Sequence, residues 1–76
     1  MEHDRQVDLR GLCCGALIRK LASGVRAMHQ GEVLLVEGDI ESLRTEIPSY
    51  CRQTRHDLLQ HEQEARQLRF WIRKVG

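Results

Sequence analysis

The sequence predicts a two-layer α/β sandwich (α+β), in which two helices cover one face of a mixed four-stranded sheet in the order β-α-β-α-β-β. Three observations lead to this fold class. Apolar residues recur at helical spacing in two segments, and four shorter segments have the pattern of strands. Each helix has one apolar face that another element must cover. The 76 residues are too few for two separately cored units, so we expect one domain over residues 1–76.

A glycine separates the first predicted strand from the first predicted helix. Val7 and Leu9 alternate with polar neighbours before Gly11, which predicts a short strand followed by a break. From Cys14 onward, apolar residues recur at spacings of four, four and three and predict an amphipathic helix: Leu17, Leu21, Val25 and Met28. Gly31 follows, and a glycine there can close the helix in the left-handed conformation.

The middle of the chain predicts a buried strand and a second helix. Residues 32–37 are mostly aliphatic and lie between glycines, as expected for a strand central in its sheet or covered on both faces. The helical pattern that follows predicts a helix capped by Asp39 or Ser42. Pro48 removes one backbone donor, so either the helix bends or residues 41–46 form a separate first turn, and we expect the bend.

The last third of the chain predicts two strands. Residues 56–63 form the third predicted strand, with Leu58 and Leu59 as its apolar pair. Residues 68–74 alternate, with Leu68, Phe70 and Ile72 on one face and Arg69, Trp71 and Arg73 on the other. The alternation predicts a half-buried strand.

Composition and charge exclude several classes of protein. Hydrophobic residues make up 41% and charged residues 30%, a balance typical of soluble globular chains and too apolar for disorder. The longest apolar run, Val33 to Val36, is far short of the roughly 20 residues that span a bilayer, so we expect no membrane contact. The polar N-terminus lacks a secretory signal, which favours the cytoplasm. A net charge of +1 gives no global field for nucleic acid.

The most informative segment runs from Asp8 to Leu17 and places a cysteine, Cys14, at the start of the first predicted helix. Free backbone N–H groups and the helix dipole stabilise a thiolate there, and Arg10 adds positive charge nearby. Three cysteines, two of them adjacent, do not make a disulfide framework. The cysteines and histidines do not follow metal-ligand spacings, so we expect no metal and no bound cofactor.

Asp8, Gly11 and Cys14 resemble the opening of the small sulfur-carrier proteins of the TusA/SirA-like family, whose signature is D-x-x-G-x-x-C-P-x-P. The resemblance keeps its spacing over nearly the whole chain. Its further matches are Met28 with residues 31–36, Asp39 with residues 46–48, Cys51, His56, and the final segment 70–74.

The resemblance implies that Cys14 accepts sulfane sulfur from a donor protein of cysteine desulfurase or rhodanese type and passes it to an acceptor protein. It also implies the β-α-β-α-β-β sandwich. Family members supply sulfur for tRNA thiolation, for molybdenum cofactor enzymes or for sulfur oxidation. The resemblance therefore implies contact with nucleic acid only indirectly, through an acceptor enzyme. The plain alternative for Cys14 is a small buried residue that starts a helix.

Three departures from the family pattern stand out. Both prolines of C-P-x-P are missing, with Gly15 and Leu17 in their place. Their absence leaves the backbone around the cysteine less rigid. The extra Cys13 is a candidate contact or resolving thiol, but a disulfide between adjacent residues is strained. Arg55 replaces the glycine before His56 and predicts a different exit from the second helix.

The remaining candidates concern partner docking. Arg19 on the first helix and the pair Trp71 and Arg73 on the last strand form plausible contacts for donor and acceptor proteins, although a solvated sheet face explains the alternation equally well. We expect Cys51 to lie in the core. The alternative function is a non-catalytic protein-binding or regulatory module that has lost efficient transfer with its prolines. An RNA-contacting domain is disfavoured by the near-neutral charge.

Overall fold

The computed structural model describes residues 2–12 and 14–75, and at position 14 it describes the backbone alone. The elements are β1 (Arg5–Asp8), α1 (Cys14–Arg26), β2 (Val33–Gly38), α2 (Leu43–Thr54), β3 (Asp57–Glu64) and β4 (Gln67–Arg73). This order confirms the predicted β-α-β-α-β-β arrangement. Within the described ranges, neither helix has the length and apolar character that a membrane span requires.

The four strands form one mixed sheet in the order β1-β2-β4-β3. β1 pairs with β2 in parallel, and the other two pairings are antiparallel. The aliphatic strand β2 is therefore central, as its sequence predicts. The β3–β4 register shifts between Leu58 and Gln60, and Leu59, which lies at this irregularity, is 36% exposed.

Both helices pack on the same face of the sheet. Leu34 and Val36 of β2 belong to the same buried cluster as Leu21 of α1 and Ile47 of α2, whereas Leu35, between the two β2 residues, does not. Since neighbouring residues of a strand point to opposite faces, the helices share the Leu34 and Val36 face. The predicted core face of β4 is buried there as well: Leu68, Phe70 and Ile72.

The end of α1 and the start of α2 differ from the sequence predictions, which are a closing glycine for α1 and a side-chain cap for α2. α1 ends at Arg26, and Gly31 adopts its positive φ of 92° in the turn before β2, where its N–H donates to the carbonyl of Lys74. Ser42 precedes α2 in a helical conformation and makes no side-chain cap, and the Asp39 carboxylate accepts from Gly11 instead. The predicted cap is wrong because backbone turns at residues 40–46 satisfy the first N–H groups of α2.

α2 runs through Pro48 to Thr54, so residues 41–46 do not form a separate first turn. Arg55 follows with φ 61° and ψ 33°, and the N–H of His56 donates to the carbonyl of Cys51 at 3.0 Å. This is the left-handed exit that a glycine makes at low cost. The expectation of a different exit is therefore wrong: the chain keeps the exit and an arginine adopts the strained conformation.

Arg55→Gly should stabilise the fold by about 1 kcal/mol, because glycine removes the side-chain clash of the left-handed conformation and loses only part of that gain to backbone entropy. A urea denaturation midpoint measures the change. Arg52→Gly is the matched control, since Arg52 is an exposed arginine inside α2 and glycine there should cost about 1 kcal/mol. A midpoint that falls in both variants would contradict the left-handed exit.

Candidate functional site

Cys14 begins α1 at the edge of the sheet where β1 and β2 end. The tip of the β3–β4 hairpin lies at the same edge, because Gly38 at the end of β2 pairs with Leu68 and Gln67 pairs with Glu64. The described surroundings of the helix start are therefore two strand ends, the start of α2 and the hairpin tip.

The loop between β1 and α1 is anchored at both ends. Leu9 is fully buried, and its N–H donates to the Glu37 carbonyl at 2.7 Å, which extends the β1–β2 pairing past the strand. The N–H of Leu12 donates back to the Leu9 carbonyl at 3.2 Å and closes a turn. Gly11 has φ 78° at the third position of this turn, where a type II turn needs a positive φ. These contacts define the course of the chain from Leu9 to Leu12.

Asp39 ties this loop to the start of α2. Its carboxylate accepts a hydrogen bond from the N–H of Gly11 at 3.4 Å. The sequence pattern predicts Asp39 as a helix cap and does not reveal this contact. The signal available in the sequence was the parallel order of β1 and β2, which brings the residues after the two strands to one edge.

Arg10 is held by Asp8. The guanidinium donates two hydrogen bonds to the carboxylate, both at 3.0 Å, and the N–H of Arg10 adds a third at 2.9 Å. These hydrogen bonds lower the pKa of Asp8 to about 2. The positive charge predicted beside the thiol is therefore shared with a carboxylate, and its effect on Cys14 stays a prediction.

The first turn of α1 contains no acidic residue, so no carboxylate within it opposes a negative charge at the helix start. Gly15 and Ala16 are exposed, and Leu17 is fully buried. The position that carries the second proline in the family signature thus holds a core leucine here. Cys13 and the side chain of Cys14 lie outside the described residues, and their predicted roles stay predictions.

A shallow depression of about 270 Å³ lies beside this loop. Its walls come from the loop, the start of the α2 connection and the hairpin tip, and its charged members are Arg10, Asp39, Glu64 and Arg66. Both signs of charge are present, so the depression has no strong preference for an anion or a cation. The hairpin residues could not be predicted as part of this site, because their position beside the loop depends on the antiparallel pairing of β4.

The predicted docking residues do not gather at this edge. Trp71 lies on the sheet face away from the helices, is only 5% exposed, and pairs in register with Leu35 and Gln60. Its indole N–H is buried without a partner among the described residues. Arg73 binds Asp57 at 2.6 Å near the opposite end of the sheet. Trp71 and Arg73 therefore do not form the expected exposed surface, because the ring is buried and the arginine is paired. Arg19 is exposed on α1.

Cys51 is buried in the core, as predicted, with 4% exposure. Burial raises the pKa of its thiol to about 11, and the negative charge of Asp57 adds to the rise. Such a thiol is a poor nucleophile near neutral pH. Among the side chains of residues 2–12 and 15–75, no group of three metal-ligating residues converges.

Comparisons with known proteins point to one family over nearly the whole chain. The family model described as "Sulfurtransferase TusA" matches residues 5–74. The chain is 38% identical over 72 residues to the "Sulfur carrier protein TusA" of Pseudomonas entomophila (strain L48), a match that covers 95% of this chain and 90% of that protein.

In a variant carrying Cys13→Ser and Cys14→Ser, Cys51 should resist thiol reagents at pH 8, since with a pKa of about 11 roughly one thiol in a thousand is ionised there. The measurement is the rate of reaction with a chromogenic disulfide, with and without urea. We expect a rapid rise in rate only on unfolding. Fast reaction of the native variant would contradict the burial of Cys51.

Proposed function

The chain belongs to the TusA sulfurtransferase family, and we propose that it carries sulfane sulfur as a persulfide on Cys14, between a donor protein and an acceptor protein. The observation that carries the proposal is the position of Cys14 at the start of α1, in register with the family signature. The cytoplasm suits this role, because its reducing conditions keep free thiols available.

The transfer is a thiol exchange that needs no outside oxidant. The Cys14 thiolate attacks the terminal sulfur of a persulfide on the donor, and a new S–S bond forms on Cys14. The donor's S–S bond breaks, and its cysteine leaves as a thiolate. The reverse reaction on an acceptor thiol delivers the sulfur and restores the Cys14 thiolate.

The geometry supports this chemistry in two ways. Free N–H groups and the dipole at an exposed helix start stabilise an anion by about 0.3–1 kcal/mol. The anchored loop limits the conformations that the start of α1 can adopt, so less entropy is lost when a partner's sulfur approaches. Gly15 and Ala16 leave the first turn without bulky side chains, which suits docking of another protein's active site.

Substitution of Cys14 should abolish sulfur loading. Wild type, Cys14→Ser, Cys13→Ser and Cys51→Ser are each incubated with a cysteine desulfurase and cysteine, and intact-protein mass spectrometry detects added sulfur that a reductant removes. We expect the adduct in every form except Cys14→Ser, because Cys14 is the acceptor thiol that we propose.

A family member that is known to load serves as the positive control. If it loads and no form of this chain does, the proposal fails, and the alternative of a non-catalytic binding module takes its place. An adduct that disappears in Cys13→Ser but persists in Cys14→Ser would show that Cys13 accepts the sulfur. That result would contradict the proposal for Cys14.

Introducing the two missing prolines should have opposite effects at Gly15 and at Leu17. A Cβ at Gly15 would meet no atom within 4 Å, and first-turn prolines sacrifice no helical hydrogen bond. Gly15→Pro should therefore keep the fold and speed sulfur loading by making the seat of Cys14 more rigid. Leu17→Pro should cost about 3 kcal/mol or more, because it removes a fully buried side chain.

Urea midpoints and initial loading rates measure both effects, with Gly15→Ala as the control for the loss of glycine alone. Equal loading rates in wild type, Gly15→Ala and Gly15→Pro would show that rigidity of this turn does not limit transfer.

A further inference from the structure

The end of the molecule away from Cys14 contains a second depression, of about 350 Å³, between the C-terminal parts of the two helices. Its polar lining consists of Arg26, Tyr50, Thr54, His56 and Lys74, and we call this set the cationic cleft. Arg26 lies twelve residues after Cys14 in α1, which at 1.5 Å per residue is about 18 Å along the helix. A site here is spatially separate from the sulfur chemistry.

We propose that the cationic cleft binds a phosphate monoester, with the phosphate between Arg26 and Lys74 and the organic part against Tyr50. The lining contains two permanent cations and an imidazole but no carboxylate. This composition differs from that of the depression beside Cys14, where Asp39 and Glu64 offset the arginines.

The two cations have hydrogen-bonding capacity to offer a ligand. Arg26 is exposed and forms no ion pair with any residue that the structure describes. The Lys74 ammonium donates one hydrogen bond, to the carbonyl of Met28 at 2.9 Å, and keeps two further protons. A guanidinium and an ammonium that line one opening suit a dianion with three acceptor oxygens.

The charges of Lys74 and Arg26 act on the two rings of the same lining. The pKa of His56 lies below its ordinary value, because burial and then the Lys74 ammonium disfavour the charged imidazole, with a smaller opposite effect from Asp57. The pKa of Tyr50 is raised by burial, and the charge of Arg26 opposes that rise.

The helix ends oppose an anion, but more weakly than the cations favour one. Carbonyl groups at a helix C-terminus disfavour a nearby negative charge only weakly. A hydrogen bond from a charged donor is a stronger interaction than this effect of the helix end. Lys74 also donates to the carbonyl of Met28, two residues past the end of α1. With two charged donors, the balance favours anion binding.

The size of the cleft favours an organic phosphate over phosphate alone. A volume of about 350 Å³ lies in the range of small-molecule sites, which begins near 300 Å³. Ala22 and Val25 supply apolar wall, and the Tyr50 and His56 rings lie with centroids 6.4 Å apart. Flat groups stack on such rings, so a ring-bearing monoester fits better than a bare ion.

The test titrates the full chain with adenosine 5′-monophosphate (AMP) while amide and histidine NMR signals are recorded. We expect saturable shifts confined to the cationic cleft and a raised pKa of His56 in the complex, because a bound anion favours the charged imidazole. Arg26→Gln and Lys74→Gln should each weaken binding roughly tenfold or more, the effect of losing a charge-assisted hydrogen bond. Adenosine, which lacks the phosphate, should bind at least tenfold more weakly.

Arg19→Gln is the matched control, since Arg19 is an exposed arginine on the same helix outside the cleft. It should change the AMP affinity by less than about twofold, as expected for a distant screened charge. Equal losses in Arg19→Gln and Arg26→Gln, or no localised shifts at about 10 mM AMP, would overturn the proposal. Tighter binding of a dinucleotide, whose phosphate is a diester, would also overturn it. Circular dichroism confirms that each variant is folded.

Discussion

The close approach of Leu9, Gly38 and Leu43 is the packing constraint on which the rest of the site depends. A Cβ on Gly38 would overlap Cδ1 of the fully buried Leu43 and would contact Leu9 at 3.9 Å. Glycine here lets the end of β2, the loop before α1 and the start of α2 meet at one point. The position of Cys14 follows, because its loop begins at Leu9 and is held again by Asp39, the neighbour of Gly38.

The fold could be predicted from hydrophobic spacing because each pattern has one packing solution at this chain length. Periodicity alone predicts four core residues, and all four are buried: Leu17 and Leu21 on α1, and Phe70 and Ile72 on β4. Burial on the other sheet face could not be predicted this way. Trp71 alternates correctly but is covered, because β4 is a central strand with neighbours on both sides.

Conformations at element ends were also beyond the sequence patterns. Arg55 adopts a glycine-like conformation since the core contacts of α2 and β3 fix the chain on both sides of it, and tertiary packing outweighs a local cost of about 1–2 kcal/mol. The same reasoning applies to Asp39, whose carboxylate serves the neighbouring loop rather than its own helix. Partners that are distant in sequence decide both cases, and a local pattern contains no information about them.

The net charge of +1 conceals an uneven distribution. On the sheet and its loops, cations are mostly paired: Arg10 with Asp8, Arg69 with Glu37, and Arg73 with Asp57. On α1, which has no acidic residue, Arg19, Lys20 and Arg26 form no ion pair within the described parts of the chain. The helix layer therefore presents an uncompensated positive field to partners even though the whole chain does not. Because fields of exposed charges fade within about 10 Å in physiological salt, each end of α1 acts on its own surroundings. The start of α1, where Cys14 lies, and Arg26 at its last turn therefore act independently of each other.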